Sequence, residues 1–501
     1  MNREAQQHRA ITAFTDFLST PLDKILARHL DTPRDAAITL FQDVAANVPA
    51  YKAFLAEGGI DPATIKTLAD WQQLPTVTKE NYISRYPLTD LCRHGLLETC
   101  DMIAASSGST GKPTFWPRFF SDELQIATRF EQIFHDNFYA DTRRTLAVIC
   151  FTLGTWVGGM FTTNCCRYLA SKGYPITVIT PGNHKEDILR VVQELGGNFQ
   201  QVVLLGYPPF LKDVIDTGLS QGVQWEKYQV KLVMAGEVFS EEWRSLVCER
   251  LGTQSCYDLA SIYGTADAGV LANETPLSIC IRRFLATTPD AARTLFGESR
   301  LPTLLQYDPT QRFFEVMDGT LLFSGDNGVP LIRYNILDHG GLIDYESMIE
   351  FLAQWGFNPV AELNQNPPAR GIHKLPFVYV FGRSNFTVSY FGANIYPENV
   401  MVGLEQPVIR EWVTGKFVLQ VQEDADHNRF LSVVVELAPG VEGSEDQGES
   451  IAVSILTQLL RLNGEFANYV PPEYQLPRVV LAATGDAEYF PVGVKHRYTR
   501  K

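Results

Sequence analysis

"YPITVITPGNHKEDILRVVQELGGNFQQVVLLG", Tyr174 to Gly206, reads as a strand, a helix and a second strand. "YPITVIT" and "FQQVVLLG" are short apolar runs, and "HKEDILRVVQELGG" between them carries its apolar residues at helical spacing. The alternation extends to both sides. "RTLAVICF" and "YQVKLVMAG" are further strands, and "SEEWRSLVCERLG" is a further helix. Such alternation indicates parallel βαβ units in an α/β protein, with ligands expected near the loops at the strand ends.

Outward from this centre, the first hundred residues read mainly as helices, as in "DAAITLFQDVAANVPAYKAFLAEGGI". "RFFEVMDGTLLFS" reads as a hairpin turning at Asp318-Gly319. After "YVFGRSN" the character shifts to strands "KFVLQVQ", "FLSVVVEL" and "PRVVLAA", with a helix from about Glu449 to Asn463. "EGSEDQGES" reads as a short acidic loop. The expected division is a large multi-subdomain N-terminal domain over 1–383 and a small mobile α+β domain over 384–501.

A chain of 501 residues, 45% hydrophobic and 20% charged, is that of an ordinary globular protein of more than one domain. A formal charge of −15 argues against general binding to nucleic acid or anionic membrane. The N-terminus has charges and glutamines where a signal peptide needs an apolar run. Leu146 to Thr163 carries no charge, yet threonines and glycines interrupt it, so a buried strand, a turn and a helix start fit better than a membrane span. The eight cysteines form no CxxC pair and the nine histidines no HxH or HExxH pattern. Reduced core thiols in a cytoplasmic protein, without a transition-metal site, are expected.

"AASSGSTGKPTFWPR", Ala104 to Arg118, looks built for phosphate. It is not the GxxxxGK[ST] loop, since Ser106 stands five residues before Gly111 and Pro113 follows Lys112. Gly108 and Gly111 still let backbone N–H groups turn toward an anion, while Ser106, Ser107, Ser109 and Thr110 add hydroxyls and Lys112 a charge.

"SSGSTGKPT" resembles the phosphate loop of the AMP-forming adenylating enzymes, the acyl-CoA synthetase and luciferase superfamily, and most closely that of the phenylacetate–CoA ligase family. Further segments match in the family's order: the "LPTVTK" turn, "MAGEVFSEEWR", "SIYGTADAG", "PLIRYNILDHGG", "VFGRSNFTVSYFGANIYPENV" and "YFPVGVKHRYTRK". The resemblance implies ATP-dependent activation of a carboxylic acid to an acyl-adenylate, then transfer to coenzyme A. It implies that Ser106 to Lys112 hold the departing phosphates, and that Gly236 and Glu237 form the adenine-side turn. Tyr263 and Gly264 would flank adenine, with Asp267 binding Mg²⁺. Asp338 would accept hydrogen bonds from ribose, and Arg383 would contact ribose or phosphate. By the same resemblance Asn385 would occupy the hinge, Gly392 would flank the thiol path, and Lys495 would be the catalytic lysine acting on the α-phosphate. Trp156, Gly158, Gly159 and Met160 lie where the family lines its acyl pocket, Gly158 and Gly159 leaving room and Trp156 and Met160 supplying apolar walls, which points to an aryl or apolar acid.

The chain departs from the family at several of these positions. Asp267 replaces a glutamate and Ala266 a hydroxyl residue. Asn335, Ile336 and Leu337 replace Arg-Thr-Gly, and Asn385 and Phe386 replace two aspartates. Three functions therefore stay open at this point: a coenzyme A ligase, an adenylating enzyme with an amine, carrier or AMP-retaining outcome, and a non-catalytic nucleotide sensor. The oligomeric state also stays open, a homodimer being one candidate.

Overall fold

The structure is a computed structural model that describes residues 3–31, 35–98, 100–106, 113–253, 255–297, 301–365, 370–383, 387–438, 440–491 and 498–500. By its internal contacts the chain divides into two compact units. The larger comprises Met1–Ala105, Phe115–Gly206 and Val214–Gly382; the smaller comprises Ser106–Thr114, Tyr207–Asp213 and Arg383–Lys501.

The larger unit is built on an eleven-stranded sheet. A short pair, β1 (Met102–Ser106) and β2 (Thr114–Arg118), precedes it. The sheet strands are β3 (Thr145–Ile149), β4 (Ile176–Ile179), β5 (Gln201–Gly206), β6 (Lys231–Ala235), β7 (Leu259–Thr265), β8 (Gly269–Asn273), β9 (Thr303–Gln306), β10 (Phe313–Met317), β11 (Thr320–Gly325), β12 (Leu331–Ile343) and β13 (Phe377–Arg383). Their spatial order is β10-β11-β12-β13-β9-β8-β7-β6-β5-β3-β4. As the alternation predicts, β3, β4, β5, β6 and β7 pair in parallel. The helix Lys185–Leu195 buries Ile188, Leu189 and Val192 and carries Glu186 and Asp187 in its first turn, where the helix dipole favours acids. Every residue of β3 and β5 is buried, which is why both read as continuous apolar runs.

Beyond β7 the direction reverses. Strands β7, β8 and β9 are antiparallel neighbours, as are β9 and β13, and β10, β11 and β12. The βαβ reading accounts for only the parallel half. On the other side turns join β7 to β8 and β10 to β11 to β12. Helical segments connect β8 to β9 and β12 to β13, yet β9 pairs antiparallel with both β8 and β13. The Asp318-Gly319 hairpin forms as its sequence predicts, with φ of 50° and 75° at the two turn residues. The uncharged run Leu146–Thr163 divides into β3, a loop and the start of the helix Val157–Ser171. No helix among the described residues is long and apolar enough to cross a membrane. Six of the eight cysteines are buried, and all eight are free thiols.

The smaller unit has a three-stranded sheet of β16 (Val413–Glu423), β17 (Arg429–Leu437) and β18 (Arg478–Ala482), after a hairpin of β14 (Val388–Tyr390) and β15 (Ala393–Ile395). Its long helix runs Glu445–Leu462, four residues ahead of the predicted start. The "acidic loop" is in part the first turns of that helix. Ser444 and Gln447 form a reciprocal capping box, and Glu445 and Asp446 lie in the first turn.

A buried ionic quartet joins the two halves of the large sheet. Arg244, on the helix Glu241–Leu251 that follows β6, donates through Nε to both oxygens of Glu241 at 3.1 Å. Its Nη2 reaches Glu274 Oε1 at 2.6 Å, and its Nη1 donates to the Leu259 carbonyl. Arg282 donates to Glu241 Oε1 at 2.7 Å and to the carbonyl of Phe239, whose ring lies under both guanidinium groups. Glu274 Oε2 accepts the Ser261 backbone N–H at 2.8 Å. Two acids and two bases balance, so the burial leaves no net charge. Removing one partner strands the rest. Glu274→Ala should lower the unfolding free energy of the larger unit by about 3–5 kcal/mol, the cost of opening a buried ion pair. Urea denaturation reads it, and a loss below about 1 kcal/mol would refute the role given to the quartet.

Candidate active site

Parallel strands place their C-terminal ends along one edge of a sheet, and the candidate residues follow those ends. The loop after β3 leads to Trp156, Gly158, Gly159 and Met160; the turn after β6 holds Gly236 and Glu237; β7 ends with Tyr263 and Gly264 before Asp267. Gly236 takes φ +88°, a left-handed conformation that lets the chain turn at once after β6. Glu237 is buried. Gly264 and Gly269 bring β7 and β8 close, since a Cβ on Gly264 would lie 3.0 Å from the Gly269 carbonyl. The turn between these strands carries Asp267, and Thr265 Oγ1 braces it by accepting the Ala268 N–H at 3.1 Å.

Two crossed tyrosine–aspartate pairs join this turn to β12. The Tyr263 hydroxyl, from β7, donates to Asp338 Oδ2 at 2.7 Å. The Tyr334 hydroxyl, from β12, donates to Asp267 Oδ2. Both carboxylates are buried, at 6% and 8% exposure, and a buried carboxylate must be hydrogen-bonded or paired. Among the described residues no other hydrogen bond reaches Asp267, so Oδ1 stays open to a ligand. That suits Mg²⁺, which takes one or two carboxylates and draws the rest of its shell from substrate phosphates and water. Among the described residues no group of three His, Cys, Asp or Glu could cage a metal by itself.

Asp338 is a strand residue and not part of a Gly-Gly turn. Gly340 and Gly341 pack on Tyr379 of β13, where a Cβ would fall 2.1 Å from its carbonyl and 2.3 Å from its hydroxyl. The strand bends instead at Leu337, whose φ is +65° and which is 47% exposed. Asn335 Oδ1 accepts the Leu337 N–H at 2.8 Å and shapes the bend. Leucine thus holds a conformation natural to glycine at the position where the family motif has one. Val77, in the "LPTVTK" turn, clamps the same strand. Its N–H donates to the Arg333 carbonyl at 3.0 Å and its carbonyl accepts the Asn335 N–H at 2.8 Å, which fixes the backbone on either side of Tyr334.

The pocket residues divide. Ala105 N–H donates to the Thr155 carbonyl at 2.8 Å and Ala105 bridges Trp156, so β1 is tied to the loop that follows β3. Gly158 faces the Phe151 ring, and Met160 is 37% exposed. Gly159 corrects the expectation that it leaves room for an acid: a Cβ there would sit 2.4 Å from the Thr152 carbonyl, so its smallness serves a backbone contact. Ser106 ends β1 and is buried. Ser107, Gly108, Ser109, Thr110, Gly111, Lys112, Asn385 and Lys495 lie outside the described residues, as does the side chain of Arg383, which closes β13. In the smaller unit, Gly392 sits in the β14–β15 turn at φ +83°, with Phe391 at +51°. A Cβ on it would meet the Tyr207 ring at 2.1 Å, and that ring stacks on Tyr469.

Sequence reasoning named Tyr263, Asp267 and Asp338 but missed Tyr334. The signal was available: Tyr334, Ile336 and Asp338 alternate with more exposed neighbours, so one face of the strand carries both the tyrosine and the aspartate.

No protein-family model matches the chain. In sequence it is similar to a phenylacetate–coenzyme A ligase of Aromatoleum evansii, 22% identical over 448 residues, covering 87% of this chain and 88% of that protein. It is also similar to one of Thermus thermophilus, 24% identical over 301 residues, covering 58% and 60% respectively. Among solved structures it resembles 2-hydroxyisobutyryl-CoA ligase in complex with 2-HIB-AMP and CoA in the thioesterification state. The TM-score is 0.64 at 15% identity, over 97% of this chain and 91% of that one. The same ligase in its postadenylation state gives 0.52, over 93% and 87%. The chain therefore has the adenylate-forming ligase fold that the ordered motifs predict.

Leu337→Gly should leave the fold intact and raise stability by up to about 1 kcal/mol. Relief of the left-handed strain, about 1–2 kcal/mol, exceeds glycine's extra unfolded-state entropy. Thermal denaturation reads it, and a drop in Tm would mean that the leucine side chain, not the bend, is what the position needs.

Proposed function

We propose that the protein is an AMP-forming ligase that activates a carboxylic acid with ATP, releases pyrophosphate, and passes the acyl group to the thiol of coenzyme A. The observation that carries this reading is the pair of crossed tyrosine–aspartate bonds. They bring the "YGTAD" and "IRYNILD" segments, through bonds that span 67 and 75 positions in sequence, to one place beside the C-terminal ends of parallel strands. Two buried acids with distinct partners suit two tasks on one nucleotide.

In this reading a carboxylate oxygen attacks the α-phosphorus and pyrophosphate leaves. The thiol then attacks the acyl carbonyl, and AMP departs with the oxygen it gained. Ser106, Ser107, Gly108, Ser109, Thr110, Gly111 and Lys112 would hold the β- and γ-phosphates. Asp338, oriented by Tyr263, would accept from the ribose hydroxyls, and Gly236 with Glu237 would border the adenine. Asp267, oriented by Tyr334, would hold Mg²⁺, which screens the phosphate charges when bound. Arg383 would reach ribose or phosphate, and Lys495 would stabilise charge gathering on the α-phosphate. Trp156 and the Phe151 ring, which Gly158 faces, would make apolar walls, and the substrate class they would favour is an aryl or apolar acid. Rotation at Asn385 would exchange Lys495 for the Gly392 turn between the two half-reactions.

The test separates those half-reactions. Wild-type protein should catalyse ATP–pyrophosphate exchange with at least one acid from a panel of aryl, indolyl and aliphatic carboxylates. Lys495→Ala should slow acyl-adenylate formation by ~10²–10³, the range for removing one preorganised charge-stabilising group. Given synthetic acyl-adenylate and coenzyme A, the same variant should form thioester at near wild-type rate. Exchange with no acid would defeat the proposed activity. Equal loss in both half-reactions would remove Lys495 from its assigned role.

A further inference from the structure

Two buried guanidiniums touch the Asp267 turn. Arg312 donates to the Ala268 carbonyl at 3.2 Å, and Arg118, the last residue of the "AASSGSTGKPTFWPR" stretch and so far without a role, reaches the peptide on the other side of Asp267. Arg118 ends β2, the strand the chain enters on leaving the phosphate-loop stretch, and is 1% exposed. Its Nη2 donates to the Ala266 carbonyl, the peptide immediately before Asp267, at 2.5 Å. The guanidinium lies over the Phe161 ring, on the helix Val157–Ser171 that begins at the loop after β3, 5.6 Å from its centroid. Burial pulls it down to about 10, against the opposing charge of Asp122, so it remains a cation at neutral pH.

We propose that Arg118 is a positioning residue for the metal-binding carboxylate. It fixes the Thr265–Ala268 turn through Ala266, so that Asp267 meets the cation from a set backbone position. The inference rests on the reading of Asp267 as the Mg²⁺ ligand.

Three observations support it. First, aspartate has one rotatable bond fewer than the glutamate of the resembling family, so its carboxylate goes where its backbone goes. A held peptide then matters more than it would under a longer side chain. Second, the arginine is itself immobilised. Its carbonyl accepts the Asp101 N–H at 2.9 Å, and the chain packs so tightly on its strand that a Cβ on Gly328 would lie 2.0 Å from the Pro117 carbonyl. A rigid support can hold a ligand's peptide to a fraction of an ångström, which a flexible one cannot. Third, its Nε and Nη1 are buried with no hydrogen-bond partner among the described residues. That arrangement costs stability. Packing on Phe161 alone would be served by an apolar side chain, so the contact with Ala266 and the charge beside Asp267 are what the guanidinium adds. Tyr334 fixes one oxygen of the same carboxylate, and Arg118 fixes the peptide that carries it.

The test reads metal binding directly, by electron paramagnetic resonance of Mn²⁺ added with α,β-methylene-ATP. Arg118→Met keeps the stem on Phe161 and removes the donor. It should weaken Mn²⁺ affinity about tenfold, the lower range for losing a group that orients a metal ligand, while metal-free nucleotide affinity stays unchanged. Arg118→Lys, which keeps a charge and a donor, should recover part of the loss. Asp267→Asn serves as the reference and should abolish Mn²⁺ binding by the protein, leaving the spectrum of Mn²⁺ and nucleotide in solution. Normal Mn²⁺ binding in Arg118→Met beside lost binding in Asp267→Asn would overturn the inference alone. Normal binding in Asp267→Asn would overturn the ligand assignment and the inference with it. If Arg118→Met does not fold, Arg118→Lys decides: Mn²⁺ affinity a few-fold below wild type supports the role, and affinity equal to wild type overturns it.

Discussion

The buried quartet of Glu241, Arg244, Glu274 and Arg282 is the constraint on which the larger unit turns. A sheet that is parallel on one side and antiparallel on the other needs something to hold the change of direction. The quartet lies there, between the helix after β6, the strand β7 and the segment after β8. Its charges cancel, and its hydrogen bonds also run to the Phe239, Leu259 and Pro302 carbonyls. Ion pairs of this kind contribute little net stability when intact and cost much when broken. Their effect is to specify one arrangement, and here the arrangement is the one that sets the Gly236–Glu237 turn beside Tyr263.

From that frame the candidate site follows by short steps. Strand β7 delivers Tyr263 and the Asp267 turn, and β12 delivers Tyr334 and Asp338. Each tyrosine orients the other strand's aspartate, so neither carboxylate is placed by its own segment alone. Val77 and Arg118 then fix the two backbones from outside, one on β12 and one on the turn. The substitutions at Ala266, Asp267 and Asn335 to Leu337 that set this chain apart from the resembling family fall within this same frame. Asp267 is shorter than glutamate but held at both its carboxylate and its preceding peptide. Leu337 takes a glycine's conformation with help from Asn335.

How much of this was legible depended on the range of the interaction. The parallel strands and the Asp318-Gly319 hairpin are local patterns, continuous apolar runs between helical periods or a turn dipeptide, and the sequence carries them openly. Asp267 and Asp338 were visible through ordered resemblance. The Tyr334 bond, the Val77 clamp and the Arg118 contact join residues 67, 256 to 258 and 148 positions apart, and no local period encodes such pairs. Gly159 shows the opposite error. A glycine beside an expected pocket suggested empty space, whereas its neighbour is the Thr152 carbonyl, a backbone atom that composition cannot reveal. The start of the helix at Glu445 was hidden by its own capping box, whose Ser, Asp and Gln look like a polar loop until the hydrogen bonds are drawn.

The account stands most directly on the fate of one oxygen atom. A carboxylate that drives pyrophosphate exchange, labelled with ¹⁸O on both oxygens and turned over with ATP and coenzyme A, should pass one label to AMP and keep one in the thioester. Mass spectrometry of the AMP reads it. One ¹⁸O per AMP, with pyrophosphate unlabelled, is the result an acyl-adenylate requires. Label in inorganic phosphate, with ADP as the nucleotide product, would mean activation through an acyl phosphate and would contradict the assignment of this site to adenylate chemistry.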